Sequence, residues 1–204
     1  MQRKTLIVGL TGQTGAGKSL VCTLLTDRSF DIIDCDMVAR KVVEKGRKCL
    51  LDLAVEFGSE IIDANGTLNR RKLGSIAFSN KENRKKLNQI TFPYIKEELF
   101  NMIEKLRECG KEVVFLDAPT LIESGVDKYC DKVVSVIAPA EDRFVRIVRR
   151  DGLSAEEASK RMSAQGDDEF YTSRSGFVIK NDGDMAWLRV QVMEMLDTLG
   201  IKLP

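Results

Sequence analysis

The residues with the clearest chemical purpose lie near the start of the chain. Gly12-Gln13-Thr14-Gly15-Ala16-Gly17-Lys18-Ser19 fits the spacing G-x-x-x-x-G-K-[ST] of a phosphate-binding loop. Its glycines free the backbone to turn N–H groups onto an anion, Lys18 adds an ammonium for the β- and γ-phosphates, and Ser19 adds a hydroxyl for Mg²⁺. Three carboxylates follow at strand ends: Asp34 and Asp36 in Asp34-Cys35-Asp36, and Asp117 closing Val113-Val114-Phe115-Leu116-Asp117. Strand alternation would put Asp34 and Asp36 on one face, suited to Mg²⁺ or to base chemistry; Asp36 as the cap of the next helix is the plainer alternative. Asp117 fits the acidic strand beside a phosphate loop. Further on, Arg143, Arg146 and Arg150 recur on one helical face, with Arg149 beside them. They would either neutralise a triphosphate or form a solvated basic face. The chain has no histidine, so chemistry at neutral pH falls to carboxylates, lysine, arginine, backbone or metal.

The elements that must position these residues alternate between strand and helix. Leu6–Thr11 is a short apolar run of the kind buried on both faces of a parallel sheet, and Gly17–Thr26 reads as the helix after the loop. Phe30–Asp34 is a second strand. From Met37 to Phe57 the spacing is helical, with a break at Gly46. An Asn65-Gly66 turn sits between short apolar pieces, and helices follow over 69–78, 79–89 and 91–109. Ser79 with Glu82 has capping-box spacing, and Pro93 suits a first helical turn. The basic residues Arg70, Arg71, Lys72, Arg84, Lys85 and Lys86 read as a solvated face. Alternation resumes with strands at 112–117 and 132–138, a helix at 140–151, a capping box at Ser154 and Glu157, a polar stretch 165–175 that suits a mobile loop, a strand at 177–179, and a last helix capped by Asp184. Trp187 reads as packing rather than as a base-stacking residue. These elements predict an α/β, P-loop NTPase-type three-layer fold. It has a parallel five-stranded sheet, a core of about 1–38, 110–150 and 176–204, and a helical insertion of about 39–109, with about 151–175 as a separate segment.

Composition narrows the setting. A chain of 204 residues with 31% charged and 43% hydrophobic residues suits one α/β domain. A net charge of +1 argues against bulk attraction to nucleic acid or membrane. No run approaches transmembrane length, and the apolar stretch after Lys4 is too short for a signal peptide. Five cysteines with no C-x-x-C spacing fit reduced thiols in a cytoplasm, with Cys35 a buried inert thiol.

Taken together, these pieces resemble the dephospho-CoA kinase family nearly end to end. Val8-Gly9-Leu10-Thr11-Gly12 through Ser19 is similar to its opening, and Ile33-Asp34-Cys35-Asp36 to its Asp-x-Asp segment. Ala39-Arg40, Val42-Val43-Glu44 and Gly46 resemble its next helix, and Asn65 to Arg70 its turn, with Asn69 where Asp or Gln is usual. Leu116-Asp117-Ala118-Pro119, Leu121 and Glu123-Ser124-Gly125 resemble its acidic strand and loop. Arg150 to Ser154, Arg161 and Ala164-Gln165 resemble its lid, which the resemblance implies over about 151–175. Some positions depart from that pattern: Gln13-Thr14 for Gly-Ile, Phe92 for His before Pro93, the acidic Gly166-Asp167-Asp168-Glu169 for Met-Pro and a basic cluster, and Lys180 for Asp before Asn181.

The resemblance implies ATP and Mg²⁺, with dephospho-CoA as acceptor at its ribose 3′-hydroxyl. Residues 12–19 (Gly12, Gln13, Thr14, Gly15, Ala16, Gly17, Lys18 and Ser19) would bind ATP. Asp36 would be the base, and Lys18, Arg146 and Arg150 would serve the transferring phosphoryl group. Asp34, Arg40, Asp117 and Arg161 would contact substrate, and Ser19 and Asp117 would hold the metal. It implies no nucleic-acid, membrane or obligate protein partner. Two alternatives are a related nucleoside monophosphate or small-molecule kinase and a non-catalytic nucleotide-binding module. The missing N-K-x-D motif argues against a GTPase switch, since Lys180-Asn181-Asp182 has the wrong order.

Overall fold

The computed structural model describes residues 5–204. Five strands form one parallel sheet in the order β2-β3-β1-β4-β5: β1 Leu6–Gly12, β2 Asp31–Asp34, β3 Val113–Asp117, β4 Lys132–Ile137 and β5 Phe177–Lys180. β1 is central because it is apolar on both faces. It pairs with β3 from Leu6↔Val113 to Leu10↔Asp117 and with β4 from Val8↔Lys132 to Gly12↔Val136. Val8 and Leu10 are fully buried, and each such side chain contributes roughly 1.5–3 kcal/mol of transfer free energy. Helices α1 (Lys18–Thr26) and α9 (Met185–Thr198) complete this core through Val21, Leu25, Leu188, Val192 and Met195. Asp184 caps α9, its carboxylate accepting from the Trp187 amide at 2.8 Å. Trp187 itself stays 46% exposed.

The chain divides into two compact units. One carries the sheet, running to Ile33 and resuming from Cys109 to Pro204; the other is Asp34–Glu108. The second unit is helical: α2 Cys35–Lys41, α3 Lys48–Phe57, α4 Arg70–Ala77 and α5 Lys81–Glu108. Gly46, with φ of 84°, lies in the break between α2 and α3. The helical unit has its own core of Val42, Val43, Leu53, Phe57, Ile61 and Leu73. The Asn65-Gly66 turn is organised by Asp63, whose carboxylate accepts from the amides of Asn65 and Thr67 and from the Thr67 hydroxyl.

Three local expectations need correcting. The helices expected over 79–89 and 91–109 are one helix of 28 residues, with Pro93 inside it. The ring removes one donor to the Gln89 carbonyl, but Leu87 and Ile90 before it and Tyr94 and Ile95 after it pack on the helical core, and the chain carries through. Its cap is Asn80, which accepts from the Asn83 amide at 2.8 Å, and not Ser79, whose hydroxyl turns back to the Ile76 carbonyl. The polar stretch expected as a mobile loop contains helix α8 (Asp168–Thr172), preceded by α6 (Ala140–Asp151) and α7 (Ala155–Ser163). Tyr171 holds α8 down: it is fully buried and donates to Glu123 Oε1 at 3.1 Å. Two adjacent aromatics, Phe170 and Tyr171, among polar residues give no periodic signal, yet the buried one is enough to anchor a single turn.

Among the described residues none of the five cysteines forms a disulfide. Burial raises the Cys49 thiol to about 11 and the Cys130 thiol to about 12, with neighbouring aspartates adding to both shifts. Both therefore stay protonated through neutral and mildly alkaline pH. Cys109 is exposed just past the end of α5. Thiol titration of the native protein at about pH 8, where an ordinary thiol is partly ionised, should find Cys109 as the fast group and Cys49 and Cys130 silent until unfolding. Cys109→Ser should remove the fast phase; its persistence would contradict this assignment.

Candidate active site

The phosphate loop spans the gap between the carboxyl end of β1 at Gly12 and the start of α1 at Lys18. The gap leaves no room for side chains at its two ends. A Cβ on Gly12 would stand 2.3 Å from the Val136 carbonyl oxygen of β4. Gly17, the α1 N-cap, has φ of 98°, and a Cβ there would meet Asn181 Nδ2 at 2.2 Å. First-turn amides of a helix have no intrahelical acceptor, so the amides of Lys18 and Ser19 present donors to an anion, whereas the Ala16 and Leu20 amides already donate to the carbonyls of Gln13 and Gly17.

Asn181 is the brace of this loop. It follows β5 and is 7% exposed. Its backbone amide donates to the Ile137 carbonyl, and its Nδ2 donates to the Ala16 carbonyl, each at 2.8 Å. Arg146 adds weaker contacts to the carbonyls of Gly15 at 3.3 Å and Asn181 at 3.4 Å. In the sequence, Asn181 stands out as part of a misordered base-reading motif and as the Asn that follows Lys180 in the family resemblance, neither of which points to a structural role. Its real signal is its position, directly after a strand whose neighbour β4 borders β1.

A cleft of about 940 Å³ opens over the loop. Loop residues 12–15 and 17–19 line one side; Arg146, Arg149, Arg150, Arg161 and Gln165 line the other. Ala16 is buried beneath. Lys18 pairs with Asp117, both side chains largely buried, so β3 delivers its carboxylate to the loop ammonium. The four arginines of α6 separate into roles. Arg143 turns inward and donates Nε to the Ala138 carbonyl at 3.0 Å, a packing role; Arg146, Arg149 and Arg150 line the cleft. Asp151 ties α6 to α7: it accepts two bonds from Arg150, at 2.7 and 2.9 Å, and one from Arg161 at 2.7 Å. The Arg150 hydrogen bonds, then the charges of Arg150 and Arg161, hold its carboxyl below the usual range. The Ser154–Glu157 capping box starts α7 and so sets where Arg161 emerges.

Asp34, Asp36 and Arg40 belong to the helical unit. The shared strand face expected for Asp34 and Asp36 does not form, because the chain enters α2 at Cys35. Asp34 is the cap, accepting from the Met37 amide at 3.0 Å, and Asp36 is exposed in the first turn, where a carboxylate is favoured. Arg40 lies near the end of α2, its carbonyl accepting from Arg70 at 3.5 Å. Among the described residues no group of three His, Cys, Asp or Glu could hold a metal alone. Ser19 and Asp117 remain as hard oxygen donors, a set that fits an ion keeping most of its waters and its phosphates.

Sheet order, glycine loop and arginine-lined cleft define a P-loop kinase fold. Solved structures agree: the chain is similar to TT1252 from Thermus thermophilus (TM-score 0.83, 28% identity, 96% of this chain and 97% of that one). It is also similar to dephospho-CoA kinase from Campylobacter jejuni (0.62, 26%, 95% and 96%). Shikimate kinase from Bacteroides thetaiotaomicron, at 14% identity and a TM-score of 0.53, shares the fold alone. The family model for dephospho-CoA kinase (CoaE) matches residues 6–186. Curated dephospho-CoA kinases of Listeria monocytogenes and Bacillus anthracis are 38% and 35% identical, over 93% and 94% of this chain and 94% and 96% of theirs. The chain belongs to the dephospho-CoA kinase family.

Asn181→Ala should strip the Ala16 carbonyl of its donor inside the loop. An orphaned buried group costs about 1–3 kcal/mol, and a chain of this size loses about 2–4 °C of Tm per kcal/mol. Melting curves with and without ATP should show both a lower Tm and a smaller shift on adding ATP. An unchanged ATP-induced shift would reduce Asn181 to ordinary packing.

Proposed function

We propose that this chain transfers the γ-phosphoryl group of ATP to the ribose 3′-hydroxyl of dephospho-CoA, giving CoA and ADP. The observation that carries the reading is the cleft in which the phosphate loop faces Arg146, Arg150 and Arg161, in a chain of this family. Phosphoryl transfer needs positioning and charge neutralisation more than covalent help from the protein. The loop amides and Lys18 hold the β- and γ-phosphates. Lys18 leaves Asp117 for the incoming polyanion, an exchange of one charge partner for a stronger one. Arg146 and Arg150 face the equatorial oxygens as charge moves, and Arg161, tied to Arg150 through Asp151, moves with them.

Asp36 is the base for the 3′-hydroxyl. It is an exposed carboxylate in a first helical turn, and with no histidine in the chain a carboxylate is the natural proton acceptor. Asp34 is committed to capping α2, and so serves by fixing the turn that presents Asp36. Arg40 contacts the acceptor's phosphates, and Asp117 its hydroxyl side. Ser19 and Asp117 would hold Mg²⁺, which when bound neutralises charge between the β- and γ-phosphates. In domain terms, residues 39–109 are the acceptor-binding region and 151–175 the lid over the nucleotide. No helix among the described residues is long and apolar enough to cross a membrane. Cysteines without disulfides fit a reducing compartment such as the cytoplasm.

An ADP-release assay with dephospho-CoA, adenosine, AMP and no acceptor in parallel tests the reading. Turnover should appear with dephospho-CoA and stay at background with the others; turnover only with AMP, or without acceptor, would overturn it. Asp36→Asn should lower kcat by about 10²–10⁴, the usual contribution of a general base, while ATP binding persists. Near-normal turnover in that variant would remove Asp36 from the role.

A further inference from the structure

Two stretches that depart from the family pattern, Gln13-Thr14 and Gly166–Glu169, meet in the sheet-bearing unit. Gln13 is 3% exposed, and its Nε2 donates to Asp168 Oδ1 at 2.9 Å and toward the Gly166 carbonyl at 3.5 Å. Both neighbours are acceptors, so the orientation of the amide is fixed by them. Its other end, Oε1, is buried with no partner among the described residues. The bond to Asp168 is therefore the principal compensation for burying this side chain. One residue on, Gln165 Oε1 accepts from the Thr14 amide at 2.6 Å.

The α7–α8 turn thus grips the first half of the phosphate loop twice, as acceptor for its backbone and as acceptor for its side chain. The grip has a firm base. Asp167 caps α8 by accepting from the Phe170 amide at 2.8 Å, Tyr171 is anchored on Glu123, and Arg174 stacks on the Phe170 ring with 4.4 Å to its centroid. A carboxylate this near a triphosphate site would by charge alone repel the ligand. Gln13, itself part of the loop, makes that carboxylate a partner of the loop through its hydrogen bond.

We propose that Gln13 and Asp168 form a clasp that pre-shapes the phosphate loop, with Asp168 a positioning residue that strengthens ATP binding through Gln13 despite its charge. The proposal rests on the reading of the loop as the ATP site, and not on the identity of the acceptor. A loop already held in its binding shape loses less freedom when the nucleotide arrives, so the clasp acts mainly on retention of ATP.

Binding and dissociation of a fluorescent N-methylanthraniloyl ATP by the full chain, with no acceptor present, test it. Asp168→Ala should weaken binding by about tenfold, the factor that corresponds to one net hydrogen bond, with the change in the off-rate. Asp168→Asn keeps an acceptor for Gln13 while removing the charge, and should bind at least as tightly as the parent. Gln13→Ala combined with Asp168→Ala should be no weaker than Asp168→Ala alone. Four results would overturn the clasp: an Asp168→Ala that binds as tightly as the parent or more so, as a pure charge effect requires; losses that add in the double variant; an Asp168→Asn as weak as the alanine; or a lowered Tm with unchanged affinity. A parent chain that fails to bind the nucleotide would instead sink the reading of the loop itself, and an acceptor panel that fails would leave the clasp standing.

Discussion

The constraint on which the site depends is steric. β1 and β4 lie so close at Gly12 that the Val136 carbonyl occupies the place of a side chain, and at Gly17 the Asn181 amide does the same. The backbone between them has to turn back on itself with no Cβ at either end, and that turn is what exposes its N–H groups. An anion site of this kind is made by excluding side chains rather than by adding them. Its one charged member, Lys18, is then held by Asp117 from the neighbouring strand. The parallel register Leu10↔Asp117 makes that pairing a consequence of the sheet.

Charge around the loop is distributed by how each arginine is paired. Arg143 is buried on a backbone carbonyl and has little to give a ligand. Arg150 and Arg161 share Asp151, which keeps two cations together at the cleft while offsetting their mutual repulsion. Exposed ion pairs of this sort contribute little to stability. Their value lies in orientation, because a guanidinium already fixed in direction meets a phosphate oxygen at a lower entropic cost.

Much of this is legible in the sequence because it rests on local rules. The strand–loop–helix beginning, the strand ending in Asp117, the capping box at Ser154, the cap at Asp184 and the apolar runs of the central strands all obey periodicity or spacing. What escapes depends on distant partners or on competing local ones. Strand alternation puts Asp34 and Asp36 on one face, but whether a chain continues as strand or enters a helix is decided by a cap, and Asp34 itself supplies it. Pro93 reads as a helix start in isolation; helical packing on both sides carries α5 through it. Asn181 and Gln13 have roles set wholly by what lies 165 and 155 residues away, the separations of their bonds to Ala16 and Asp168.

That last pair bears on how a family pattern should be used. Substitutions at Gln13 and at Asp168, taken singly, look like tolerated drift at variable positions of a loop and an eroded basic segment. In the folded chain they are donor and acceptor of one bond, and a hydrophobic residue at 168 would leave a buried amide without its main partner. The two residues are therefore one structural unit. The acidic stretch that in the sequence looks like an eroded segment is, on this geometry, part of what holds the α7–α8 turn to the loop.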